Sequence, residues 1–153
     1  RIGRSRKVST QMLAIGGGRD FPTDEAARQA WSSGRAVKSG LPAARVAALL
    51  GRYGTTADAV LAHIRENGDQ PLTHIEGYGS AEIDWIARNE MVVHLADIAM
   101  RRTTLAIEGR LSAAGIEELS RIAARALGWD EGRRIQEAGA LTAQLAKVNR
   151  VSL

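Results

Sequence analysis

Apolar residues recur at the three- and four-residue spacing of amphipathic helices over most of the chain beyond residue 23. Thr23 reads as the N-cap of a helix over 24–33, with Asp24 and Glu25 complementing its positive end and Gly34 stopping it. Pro42 opens a second helix, 42–52, with Val46, Leu49, Leu50 and Tyr53 as its apolar face and Gly54 at its end. Thr55 and Asp58 form a capping box in type for a third, to about Arg65, with Ala57, Val60, Leu61 and Ile64 inward. The run Asn67-Gly68-Asp69-Gln70-Pro71 breaks the pattern, and 67–79 reads as a loop. Ser80 reads as the cap of the longest helix, 81–102, with Ile83, Ile86, Ala87, Met91, Leu95 and Ile98 as its stripe. After an extended 103–109, Ser112 caps a helix over 113–127 with Ile116, Leu119, Ile122, Ala123 and Ala126 inward. Asp130 caps the last, 131–148, with Ile135, Ala138, Leu141, Leu145 and Val148 inward.

The pattern predicts an all-α, bundle-like domain of about six helices with an irregular N-terminal extension. Residues 1–20 show no helical period, and Met12–Ile15 reads as a short strand or extended arm ended by Gly16-Gly17-Gly18. Two regions follow: an extension or linker over 1–40 with one short helix, and a helical domain over 41–150.

The 153 residues include 26 Ala and six aromatics, which favours helices in close approach. Net charge is +4, and Arg1, Arg4, Arg6 and Lys7 account for all of it, so the remainder is neutral and no folded face is marked for nucleic acid. The absence of cysteine excludes disulfides, a Cys-based zinc site and a Cys nucleophile, and makes a reducing compartment the expectation. No apolar run reaches the ~18 residues of a membrane span. No initiator Met opens the chain, which suggests a piece of something larger.

Candidate chemistry is sparse. Gly16 and Gly18 match two positions of a dinucleotide fingerprint, but Phe21 stands at the third and no strand–turn–helix unit surrounds them. His63, His74 and His94 lack metal-ligand spacing. Ala47 and Gly51, with Leu50, Ala57 and Val60, have the spacing of a helix–turn–helix; yet the would-be recognition helix carries Asp58 and Glu66 against the single Arg65, which disfavours DNA binding. Glu90, His94, Asp97 and Arg101 would share one face of a continuous helix, ending in Arg102-Thr103-Thr104. This set reads first as an ion-pair cluster docking the following loop, and second as an anion or partner site.

The ordered set Arg52-Tyr53-Gly54-Thr55, then Glu90-Met91 and Asp97 through Arg101-Arg102-Thr103, then Leu127-Gly128-Trp129, resembles the C-terminal helical domain of FAD-dependent, respiratory-type glycerol-3-phosphate dehydrogenases. The resemblance is good over about 41–148 and weaker over 1–40. It implies a parent enzyme that oxidises sn-glycerol 3-phosphate to dihydroxyacetone phosphate and passes electrons through FAD to a quinone. It implies a peripheral protein on the cytoplasmic side of the inner membrane. FAD and the catalytic residues would belong to preceding flavin and substrate domains, so no catalytic, cofactor-binding or metal residue is carried over. Arg52, Tyr53, Glu90, Asp97, Arg101, Arg102, Thr103 and Trp129 are expected to hold the domain together or seat it against its neighbours, with a homo-oligomer as a further option. The alternative is a helix–turn–helix DNA-binding domain.

Overall fold

Capping groups set most of the helix ends in this computed structural model, which describes residues 9, 10 and 13–149, the side chains of 148 and 149 excepted. Met12 and the Val148 side chain lie outside the described residues. The described chain is all-α, with six helices of ten residues or more. It divides into two units, residues 1–59 and 60–153.

In the first unit α1 (Glu25–Ser39) packs against α2 (Ala43–Tyr53). Asp24, one residue beyond the expected Thr23, is the N-cap and accepts from the Ala27 amide at 2.7 Å. α1 also runs through Gly34 to the left-handed Gly40. A mid-helix glycine costs only ~1 kcal/mol. Contacts on either side outweigh it: Arg35 stacks 3.6 Å over the Trp31 ring and grips the Asp58 carboxylate with two bonds of 2.5 and 2.7 Å. Pro42 stands at the N-cap of α2, with buried Val46, Leu49 and Leu50 as expected. The Thr55–Asp58 capping box does not form. A 3₁₀ turn, Gly54–Thr56, leads straight into α3 (Ala57–Asn67), and the Thr55 hydroxyl donates to the Arg19 carbonyl at 2.8 Å. Leu13 and Ile15 are exposed and form no strand.

The second unit holds the rest of α3, then α4 (Ser80–Asn89), a single turn α5 (Leu95–Asp97) widening into a π turn over Ile98–Arg102, α6 (Ala113–Leu127) and α7 (Glu131–Asn149). α6 packs on both α4 and α7, and α5 packs on α6 and α7. Its core includes Val60, Ile64, Ile75, Ile83, Ile86, Leu95, Ile98, Leu105, Leu119, Leu141 and Leu145. Ser112 and Asp130 cap as expected, accepting from Gly115 and Arg133 amides at 3.1 and 2.7 Å. Ser80 is not the cap of α4. Asp69, from the preceding loop, accepts from the Ala81 amide at 3.0 Å instead, while Ser80 Oγ accepts from the Gln70 amide.

The largest departure is the expected 81–102 helix, which ends at Asn89. Met91 takes a left-handed φ of 53° and is exposed instead of joining the buried stripe, while Val92 turns inward. The Asn89 side chain donates to the Trp85 carbonyl at 2.9 Å as the helix closes. Residues 103–109 form bends and turns instead of an extended stretch, with Ala106 N–H on the Ala99 carbonyl at 3.1 Å. Ile135 is 58% exposed, not inward.

Candidate functional site

The break after α4 brings the motif residues together in a way a continuous helix would not. The amides of Val93, His94 and Leu95, at the entry to α5, have no helical carbonyl to bond and need other acceptors. Asp97 Oδ2 accepts from Val93 and His94 N–H at 3.0 and 2.9 Å, and its other oxygen takes the Arg101 guanidinium. Glu137 reaches in from α7. Its Oε2 accepts from Leu95 N–H at 2.9 Å, and its Oε1 faces His94 Nδ1 at 3.0 Å and the Arg133 guanidinium at 2.6 Å. Two carboxylates on different helices thus cap the start of α5. Arg102 secures the other side of the turn, with Nε donating to the Glu90 carbonyl at 2.7 Å. The Thr103 hydroxyl closes the π turn on the Ile98 carbonyl at 2.8 Å. Trp129 lies under Arg133, its ring 5.6 Å from the guanidinium carbon.

Burial raises the Asp97 carboxyl, but the His94 and Val93 amides and Arg101 outweigh it and hold the group below its ordinary range. Burial likewise pushes Glu137 up, and the His94 hydrogen bond, the Leu95 amide and Arg133 bring it below the usual value. Glu90 goes the other way. Burial raises it, Arg102 at 3.9 Å only partly opposes this, and Glu82 adds to the rise. An acid whose folded pKa is raised favours folding below its unfolded pKa, and that contribution is lost as pH rises through the folded value. Glu90→Gln is therefore expected to raise the melting temperature at pH 7, with the gain shrinking toward pH 4. Thermal melts across that range check the sign.

Arg52 and Tyr53 belong to the first unit, at the end of α2. Beside them Gly54, φ 59°, lies backbone-to-backbone with Gly17, φ 78°, so a Cβ on either would run into the other strand of backbone. Thr55 N–H bonds the Gly17 carbonyl at 3.0 Å. Gly17 is thus the close-approach residue of the triple glycine, with its carbonyl held by Thr55.

Several polar groups gave no sequence signal of their role. Glu118 accepts from the Thr73 and His74 amides at 2.8 and 3.0 Å, fastening the 68–79 loop to α6. Arg134 forks between Glu131 and Glu117, each at 2.6 Å. Glu118, Glu131 and Arg134 line an open groove of about 770 Å³ together with Arg121 and Arg125. His63 Nε2 meets Asp84 at 2.8 Å, shared with Arg88. Among the described residues no His, Asp or Glu cluster is placed to hold a metal ion, and no helix is long and apolar enough to cross a membrane.

The family described as the C-terminal domain of alpha-glycerophosphate oxidase matches residues 8–134. No curated protein matches the chain.

Proposed function

The chain belongs to the family of C-terminal domains of alpha-glycerophosphate oxidase, and from that premise we propose that it is a non-catalytic accessory domain of a flavoenzyme acting on glycerol 3-phosphate. Its role is to pack against the preceding flavin and substrate domains or a second subunit. FAD and the reacting groups belong to those domains, which oxidise sn-glycerol 3-phosphate to dihydroxyacetone phosphate and deliver electrons to a quinone at the cytoplasmic face of the inner membrane.

The observation that carries the reading is where the motif's polar groups point. Asp97 holds the amides of residues 93 and 94, Arg102 the carbonyl of Glu90, and Thr103 the carbonyl of Ile98. Glu137, though outside the motif, holds the amide of residue 95. A catalytic acid or base must face a substrate within hydrogen-bond reach. These groups face their own backbone.

Co-expression of this chain with the oxidase polypeptide as a separate protein tests the proposal. The two are expected to co-purify, with the flavin on the larger piece. No association, or flavin retained by the 153-residue chain, would overturn it.

A further inference from the structure

Most guanidinium groups of the second unit are neutralised where they stand. Arg88, Arg101, Arg110, Arg121, Arg133 and Arg134 each pair with a carboxylate. Arg125, on α6, does not. Among the described residues its side chain has no hydrogen bond, ion pair or ring contact. It is exposed, and it stands where two open grooves meet, since Arg125 and Ser80 line both.

The smaller groove, of about 320 Å³, follows one face of α4, where Ser80, Asp84 and Arg88 recur at four-residue spacing, and α6 adds Arg125. Its one carboxylate is already engaged: Asp84 Oδ2 meets His63 Nε2 and Arg88 Nε, each at 2.8 Å. Its donors are not. Arg88 is bound only through Nε, which leaves both terminal nitrogens without a bond, and its side chain is 48% exposed. Ser80 Oγ accepts from the Gln70 amide at 3.2 Å, and its own proton has no acceptor. Arg88 and Asp84 cancel in charge, so Arg125 leaves the groove with one positive charge unopposed. Charged donors in reach of solvent and without acceptors suit an anion.

We propose that this groove binds a small tetrahedral dianion of the phosphate or sulfate type, gripped by Arg125 and Arg88 and accepting the Ser80 proton. A tetrahedral oxyanion can turn a separate oxygen to each of the three donors, whereas a carboxylate has two oxygens in one plane. The site is independent of the flavoenzyme reading and would stand if that reading fell.

The test is a ¹H–¹⁵N titration of the whole chain with sulfate, inorganic phosphate, acetate and dimethyl phosphate, at an ionic strength held constant with sodium chloride. Sulfate and phosphate are expected to give saturable shifts at the Ser80 and Ala81 amides and at the Arg88 and Arg125 Nε–H groups. Dissociation constants of about 1–10 mM suit charge pairs this exposed. Acetate and dimethyl phosphate, both monoanions, should bind roughly fivefold more weakly or less. Arg125→Gln, a change at an exposed position, should weaken sulfate binding roughly fivefold or more. Arg121→Gln, one turn earlier on α6 and already paired with Glu117 at 3.0 Å, should leave it within about twofold. Shifts that are absent, unsaturable or scattered elsewhere would overturn the proposal. So would equal binding of acetate, or of dimethyl phosphate, which stands in for a nucleic-acid or lipid diester. Affinity that survives Arg125→Gln, or that falls as far with Arg121→Gln, would do the same.

Discussion

Glu137→Ala is expected to lower the unfolding free energy by about 2–4 kcal/mol at pH 7, more than any substitution among the exposed ion pairs. The carboxylate is 6% exposed and serves three partners at once. Its loss leaves the Leu95 amide, whose hydrogen bond lies in the interior, without an acceptor, and removes the cap from α5. It also removes the ion pair to Arg133, whose Nε is buried and has no hydrogen-bond partner even in the intact protein. Glu137→Gln keeps the amide's acceptor but not the charge, and should fall between. The pH dependence follows from the depressed folded pKa. Such an acid contributes stability above its unfolded pKa, and the contribution is lost as pH falls through the folded value. The gap between wild type and Glu137→Ala should therefore be full at pH 7 and narrow below about pH 4, the model-peptide range of glutamate. Denaturant melts at both pH values provide the check. An unchanged midpoint at pH 7 would mean that the carboxylate is not a structural acceptor.

Gly54→Ala is expected to cost about 2–5 kcal/mol, by a different route. Gly54 combines φ 59° with ψ −143°, a region that side-chain-bearing residues essentially avoid. The added methyl would also meet the Gly17 backbone, which unlike a flexible side chain cannot swing aside. Hydrogen exchange should then show lost protection first at Thr55, whose amide bonds Gly17. Gly51→Ala makes a useful contrast. Its added methyl would meet nothing, so it should be neutral or slightly stabilising. If Gly54→Ala melted like wild type, the close approach of the two glycines would not be a stabilising contact.

What the sequence revealed and concealed follows from the range of the forces involved. Ser112 and Asp130 were legible as caps because each acts on an amide three residues away. Asp69 caps α4 from twelve residues upstream, and nothing local distinguishes it from any loop aspartate. The false 81–102 helix arose because the apolar spacing continues across the break. Leu95 and Ile98 are buried as expected, but by elements running in a new direction after Met91. Helical period records which side chains avoid water, not whether the axis is continuous. Asp97 and Arg101 still pair, since α5 and the π turn preserve their one-turn separation. Glu137 did leave a trace. It precedes Leu141 and Leu145 by four and eight residues, so it stands on the buried face of α7, and a carboxylate there requires partners. Ile135 lies two residues before Glu137, off that face, and is exposed. The ordered motif from Arg52 to Trp129 was the most informative feature, and it pointed to the family that residues 8–134 match.

The central claim is that the reacting groups of the enzyme lie outside this domain. Titration of the purified chain with FAD, followed by flavin fluorescence, measures it most directly. The account predicts no saturable change up to hundreds of micromolar. Binding in the low micromolar range, from these 153 residues alone, would contradict it.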